Sequence, residues 1–299
     1  MEAVFILTAQ PEGLCHHETV RLQTAVVLAV GAIAPLLPAE DAREIVQRSV
    51  SKDLVNWSLA KDYTYLVKTQ QKEFGGNGQV KKTESNVHEI SILYGEPYSR
   101  LIDKDGRALS DKEARNEQGR LAKFTAKREH ENEQQRQKRI EEREKRRIKD
   151  REFIKEVVDA YDLRLVGEQK VDGHDAYVIQ AEPRAGYHAK VEGAKYLAKI
   201  RGKIWIDKAE YQWVKVEAET TDTISFGLFL FRLYKGAHLE FEQARVNDEV
   251  WMPKHAHVEA AGRLGLVIKG GIQADSTFEN YRKFQTDSRI VSTTELKQD

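Results

Sequence analysis

Apolar residues recur at helical spacing near the start of the chain and then change to strand-like alternation. The stretch EDAREIVQRSVSKDLVN, residues 40–56, predicts a helix that Asp41 caps, with Glu44 three residues further on. One buried stripe follows from apolar residues at every fourth position, Ala42, Val46, Val50 and Leu54. From Tyr63 onward the pattern indicates antiparallel strands separated by tight turns. The turn signals are GGNG at 75–78, Asp105-Gly106, Asp172-Gly173, the four residues from Asp207, Asn247-Asp248 and Gly270-Gly271.

Residues 110–160 interrupt the strands and are predicted to be helical. Opposite charges interleave at helical spacing, so that Glu141 precedes Lys145 and Glu142 precedes Arg146. Such pairing favours a solvated, self-supporting helix over a nucleic-acid arm, which needs charge of one sign. Apolar residues are too sparse for a coiled coil. The end of the segment, with Phe153, Val157 and Tyr161, is predicted to dock onto the body.

The hairpin GKIWIDKAEYQWVKVEAET, residues 202–220, is apolar on both faces. Ile204 and Ile206 alternate with Trp205, and Val214 and Val216 alternate with Trp213. A solvated hairpin is polar on one face, so something must cover each face of this one.

The first 39 residues are predicted to be an export signal. An apolar stretch follows Arg21, runs through Leu37 and reaches a cleavage site at Ala39. A membrane anchor is the alternative, but Pro35 and Pro38 interrupt a run that is shorter than the ~20 residues of a span. We therefore expect no membrane span in the mature chain, which would begin at Glu40.

The region before Arg21 does not resemble a signal, because it contains no Lys or Arg. Our hypothesis is that translation starts at Val20, directly ahead of Arg21. The one cysteine, Cys15, lies in this region and lacks the small residues that precede a lipoprotein cysteine. The mature chain would then have no disulfide, no thiolate metal site and no lipid anchor, which fits a soluble periplasmic protein.

Candidate catalytic chemistry is weak throughout the chain. The formal net charge is zero, and no phosphate loop, dinucleotide fingerprint, zinc-protease motif or nucleophile elbow is present. His255 and His257 share a strand face at a spacing that suits a metal, but two exposed histidines are the simpler interpretation. The trio Asp172, His174 and Asp175 occupies a hairpin turn, where such residues serve the backbone. We expect no enzyme, no cofactor, no metal and no nucleic-acid partner.

One further segment is unusual: ISFGLFLFRLYKG, residues 224–236, is almost continuously apolar up to Arg232. It predicts either a strand buried on both faces or a wall for an apolar ligand.

Three stretches taken together resemble the LolA/LolB-like superfamily of periplasmic outer-membrane lipoprotein-sorting proteins. They are GKIWIDKAEYQWVKVEAE, NDEVWMPKHAHVEAAGRL with its Trp-x-Pro, and the closing STFENYRKFQTDSRI. The long charged helix departs from the compact carriers of that group and resembles the insertion found in some uncharacterised relatives. The resemblance covers most of residues 40–299, which we expect to form a single domain with the helical insertion at 110–160.

The resemblance implies an α+β fold: a curved antiparallel half-barrel of roughly nine to eleven strands, with helices on its concave side. It further implies an apolar cavity for acylated lipoproteins or lipids, in which no catalysis takes place. The candidate cavity residues are Trp205, Trp213, Phe226, Leu228, Phe229, Phe231 and Trp251. The alternative is a non-enzymatic envelope protein that fills the half-barrel with its own helices and binds a partner protein through the charged helix.

Overall fold

The computed structural model describes residues 41–226, 231–264 and 268–283 of the 299-residue chain. The predicted signal, residues 1–39, lies outside these residues. The helices are α1 (Ala42–Ala60), α2 (Asp111–Glu129), α3 (Glu133–Lys155), α4 (Val157–Ala160) and a 3-10 helix at Glu192–Lys199. The first strands are β1 (Tyr63–Gly75), β2 (Val80–Leu93), β3 (Glu96–Lys104) and β4 (Arg107–Ala108). The strands after the helical insertion are β5 (Tyr161–Val171), β6 (His174–Pro183), β7 (Ile200–Asp207), β8 (Trp213–Thr220), β9 (Ile224–Phe226), β10 (Phe231–Leu233), β11 (His238–Val246), β12 (Val250–Leu264) and β13 (Ile268–Lys283).

The strands form two antiparallel sheets that meet at one seam. The larger sheet runs β4-β3-β2-β1-β13-β12, and both β11 and the β10-β9 pair lie along the far edge of β12. The smaller sheet runs β5-β6-β7-β8. Strand β8 lies beside β11, where Thr220 N donates to Ala237 O at 2.9 Å and Gly236 N donates to Thr220 O at 2.8 Å. The result is an open, curved antiparallel surface, so the predicted α+β fold with a half-barrel sheet is confirmed.

Most of the predicted turns are where the sequence places them. Asp105-Gly106, Asp172-Gly173 and Asn247-Asp248 all have positive φ, which two-residue hairpin turns require. The prediction of a turn at Gly270-Gly271 is wrong, because both residues lie inside β13. Gly270 pairs with Gly75 of β1, and a Cβ on Gly270 would lie 2.8 Å from Phe74 O, so this position needs glycine for close strand approach.

The helical insertion forms as predicted but breaks into two capped helices. Ser110 and Glu113 make a capping box at the start of α2, and Asn132 and Gln135 make another at the start of α3. Helix α2 covers the outer edge of β3: Arg120 donates to Ser99 O, and Leu101 N donates to Glu117, both at 3.3 Å. These contacts occupy backbone groups that an exposed edge strand would otherwise leave open for pairing.

Helix α3 is not the freely solvated helix that its charge pattern predicts. Arg139 donates to Glu96 at 2.7 Å and to Glu131 at 2.8 Å, and Arg128 donates to Glu96 at 3.0 Å. The side chains of all four residues are only 13–15% exposed. Because these ion pairs are largely desolvated, removal of one partner would leave a poorly solvated charge and cost more than breaking an exposed pair.

The arginines of α3 continue this docking at four-residue intervals. After Arg139, Arg143 donates to Gly95 O at 2.6 Å, and Arg147 donates to Trp57 O at 3.1 Å. The Arg147 guanidinium also lies 3.8 Å from the centre of the Trp57 ring, and Arg151 pairs with Asp53 of α1. The face of α3 with Arg139, Arg143, Arg147 and Arg151 therefore contacts the body. The predicted Glu141–Lys145 pair forms on an exposed face at 2.6 Å.

Candidate functional site

Helix α1 packs on one face of the β5–β8 sheet and defines the inner face of the curved surface. Ile45 and Val46 of α1 are fully buried against Ile179 of β6 and Ile206 of β7. Asp41 caps the helix through the backbone N–H of Arg43, as the sequence predicts. The first face of the 202–220 hairpin is thus covered by the protein's own helix.

The second face of that hairpin is covered by a second apolar cluster. Trp205 is 5% exposed and packs with Ala176, Val178, Val214 and Trp251. Its ring nitrogen donates to Gln169 at 2.7 Å. The Nε1 of Trp251 donates to Glu210 at 2.8 Å, and both backbone groups of Trp251 bond to the Asn56 side chain. Trp205 and Trp251, both candidate ligand contacts, are therefore enclosed by the protein's own side chains.

Trp213 lies on the inner face together with Val216, whereas plain alternation would place these two residues on opposite faces. A bulge at Val214 brings Trp213 opposite Ile206, while Val216 stays opposite Ile204. Trp213 consequently points at α1, where its ring nitrogen donates to Asp53 at 2.6 Å. Its ring lies 6.4 Å from Phe241 of β11, so Phe241 also lies on the inner face.

From Phe241 an apolar surface extends across four strands of the larger sheet. Leu239, Val258 and Ala274 are in register across β11, β12 and β13, as are Phe241 and Ala256. Because side chains two apart share a face, these residues form one surface, which we call the inner wall. Each of its side chains is half-buried, whereas Ile179 and Ile206 under α1 are fully buried. The inner wall comprises Val67, Leu239, Phe241, Ala256, Val258, Ala274 and Phe278.

The outer face of the same strands is polar, as β1 shows with exposed Lys68, Gln70 and Lys72. The inner wall was missed from the sequence, although its signal is present. HLEFEQ at 238–243 and HAHVEA at 255–260 alternate apolar and polar residues. Alternation predicts which side chains share a face, but only the fold shows which face lies beside a helix.

Within the predicted ligand segment 224–233, Ile224–Phe226 form β9 and Phe231–Leu233 form β10, which pairs with the end of β12. Leu228 and Phe229 lie outside the described residues, and only the backbone of Phe226 and Phe231 is described. Phe231 is in register with Phe226 and with Leu264. Ile224 and Leu233, at the base of this hairpin, are buried with Ala237 and Ala260.

His255 and His257 do not stand alone on the outer face. Asp275 Oδ2 lies 2.9 Å from His255 Nε2 and 3.2 Å from His257 Nδ1. Glu259 lies 3.6 Å from the other nitrogen of His257. Both imidazoles are about one quarter exposed, at 31% and 22%, so the expectation of freely exposed histidines is wrong. Within residues 41–226, 231–264 and 268–283, no group of three or more His, Cys, Asp or Glu is arranged to hold a metal ion.

Of the trio Asp172, His174 and Asp175, only Asp172 lies in the turn, and the other two residues begin β6. Asp172 pairs with Lys254, and Asp175 pairs with Lys170 at 3.1 Å. His174 packs on the Trp251 ring, with the ring centres 4.7 Å apart, and lies 3.4 Å from Asp207. The three side chains thus contact different partners rather than one another.

In the described part of the chain, no helix combines the length and apolar character needed to cross a membrane.

The described residues form an open antiparallel sheet with one apolar inner wall and a helix beside it. No protein-family profile matches the chain, and neither does any curated protein. Solved structures match it over most of its length at low identity. A DUF1329 family protein from Desulfovibrio piger is 14% identical, with 82% of this chain and 94% of that chain covered and a TM-score of 0.31. A LolA superfamily protein from Nitrosomonas europaea is 8% identical, with 83% and 94% covered and a TM-score of 0.29.

The MucA/MucB complex of Pseudomonas aeruginosa also matches, at 12% identity, with 82% of this chain and 100% of that chain covered and a TM-score of 0.23. Scores of this size lend no weight to an argument about the site. The LolA superfamily is represented both among these matches and in the motif resemblance of the sequence.

Proposed function

We propose that the protein is a periplasmic, non-catalytic binding or carrier protein that holds the acyl chain of a lipid or lipoprotein against the inner wall. The observation that carries the proposal is the half-buried apolar surface in register across β11, β12 and β13. A closed core would bury these side chains, as α1 buries Ile179 and Ile206. A contiguous apolar surface that stays accessible is typical of a binding site.

An acyl chain suits this surface because the polar side chains among its apolar residues are already hydrogen-bonded to one another. Gln71, in register with Ala274, donates to Glu73 at 3.2 Å. Ser276, in register with Ala256, already bonds to Thr69 at 2.9 Å, so its hydroxyl is occupied within the sheet. Each methylene that leaves water contributes ~0.8 kcal/mol, so a chain of several methylenes binds without specific contacts. The proposed ligand site is therefore the inner wall and not the tryptophan cluster, since Trp205 and Trp251 are enclosed by the protein's own side chains.

The alternative, an envelope protein that binds a partner through the charged helix, gains less from the geometry. The four arginines of α3 at four-residue intervals face the body of the protein. Glu96 and Asp53 neutralise two of them. Some of the remaining exposed charges pair along the helix, as Glu141 does with Lys145. The other exposed charges, among them Arg146, Lys149 and Asp150, are of both signs, so the helix presents no surface of a single charge for a partner to recognise.

Filling the inner wall tests the acyl site. Replacing Ala256 by tryptophan should occupy the space of several methylenes and lower the affinity for a fluorescent fatty acid at least about tenfold. The matched control is tryptophan at Thr277, which is exposed on the opposite face of the neighbouring strand. Affinity is measured by fluorescence titration and folding by thermal denaturation. Equal affinity in a folded Ala256→Trp variant and in the control would contradict the proposal.

A further inference from the structure

A second cleft lies on the outer face of the sheet, at the end of β12 and β13 away from Trp251. It has a volume of about 370 Å³, within the range of small-ligand pockets. Its floor is Ala261 and Gly271, which are in register and lack large side chains. Phe74 and Tyr234 line the same cleft. A Cβ on Gly271 would lie 3.7 Å from Phe74 Cβ, so the Phe74 side chain stands on the same face as the cleft floor.

Cations of three adjacent strands lie in one row beside this floor. Arg232 of β10 is in register with Arg263 of β12, which is in register with Lys269 of β13. Residues directly opposite each other in a sheet share a face, so the three side chains project to the same side. That side is the cleft side, because Arg263 lies two residues from Ala261 and Lys269 lies two residues from Gly271.

Within this row, the contact between Arg263 and Lys269 is unfavourable for the folded protein when no ligand is bound. Like charges directly opposite each other in a sheet are destabilising. Within the described residues, neither Arg263 nor Lys269 has a carboxylate partner, and the buried Nε of Arg263 has no hydrogen-bond acceptor. The carboxylate that lines the cleft, Glu259, accepts a bond from Gln273 at 2.9 Å and lies toward His257. The two ends of the cleft therefore carry opposite charge.

We propose that the cleft binds a small organic anion. Its phosphate, sulfonate or carboxylate group pairs with Arg263 and Lys269, and its apolar body lies between Phe74 and Tyr234. Arginine forms bidentate bonds to such groups, and lysine supplies a second positive charge. The site lies on the opposite face from the inner wall and does not rest on the acyl proposal.

Two fluorescent probes that differ by one sulfonate test the charge row. They are 1-anilinonaphthalene-8-sulfonate and its neutral parent, N-phenyl-1-naphthylamine. The double variant Arg263→Gln, Lys269→Gln should bind the sulfonate about tenfold more weakly and the neutral probe within twofold of the native protein. Its thermal stability should equal or exceed that of the native protein, because a like-charge contact is removed. The control variant Lys52→Gln, Lys61→Gln removes the same net charge from two exposed positions, one in the middle of α1 and one directly after it.

Filling the cleft tests its shape. Ala261→Leu should weaken sulfonate binding, whereas Ala256→Trp on the inner wall should leave it unchanged. Phenyl phosphate should displace the sulfonate probe at a concentration at which inorganic phosphate does not. The proposal is overturned if the native protein does not bind the sulfonate, or if the double variant and its control bind it equally. It is also overturned if only Ala256→Trp loses the probe, or if inorganic phosphate competes as well as phenyl phosphate.

Discussion

Replacing Asp53 by alanine is expected to lower the free energy of unfolding by about 3–5 kcal/mol. Asp53 is 2% exposed and lies where three parts of the protein meet. It accepts hydrogen bonds from the guanidinium of Arg151 on α3 and from Nε1 of Trp213 on β8, the latter at 2.6 Å. Without the carboxylate, a largely buried guanidinium and an indole N–H lose their acceptor. The loss exceeds that of a surface ion pair, because these groups regain little water.

Chemical denaturation of Asp53→Ala, Arg151→Met and the double variant measures the energy of the Asp53–Arg151 interaction separately from the other contacts of each residue. The double variant should be more stable than the sum of the two single losses predicts, because no unpaired charge remains. Asp150→Ala, which removes an exposed acid from the same turn of α3, should change stability by less than about 0.5 kcal/mol. A loss below about 1 kcal/mol in Asp53→Ala would show that this junction does not hold α1, α3 and β8 together.

Replacing Trp251 by alanine is expected to cost about 3–5 kcal/mol, the range for a large aromatic residue removed from a core. Trp251 is 3% exposed and closes the cluster around Trp205 and Val178. Phenylalanine at this position should lower the free energy of unfolding by less than alanine does. The lost hydrogen bond to Glu210 should account for about 1 kcal/mol, and the smaller ring adds a further packing loss.

The same two variants decide whether Trp251 is core or ligand contact. A core residue loses stability, and the folded fraction of Trp251→Phe binds a fatty acid with native affinity. If Trp251→Ala instead unfolds like the native protein and loses only its affinity, the tryptophan cluster is the ligand site and the inner wall is not.

The general architecture could be predicted because it depends on local patterns. Alternation and turn residues predicted antiparallel strands before and after the helical insertion, and Asp41 predicted the start of α1. The bulge at Val214 could not be predicted, because it depends on how β8 pairs with β7 and the sequence of β8 alone does not show it. It moves Trp213 onto the inner face and so changes which residues contact α1.

The docking of α3 shows the other limit. Four arginines at four-residue intervals are visible in the sequence, but in isolation they resemble a solvated face. Their partners, Glu96, the carbonyl of Gly95, the ring of Trp57 and Asp53, come from segments distant in the chain. The proposed ligand site differs from the sequence prediction for the same reason. Tryptophans are conspicuous in the sequence, whereas the inner wall can be recognised only when the register of four strands is known.

An acyl site on the inner wall can be located with a photoreactive fatty acid that is cross-linked to the protein and mapped by mass spectrometry. Cross-links are expected at inner-wall residues such as Phe241, Val258 and Phe278, and they should be lost when an excess of unlabelled fatty acid is added. Lys68, Gln70 and Thr277, on the outer face of the same strands, should remain unlabelled. Labelling spread equally over both faces, or labelling that unlabelled fatty acid does not reduce, would contradict an acyl site on the inner wall.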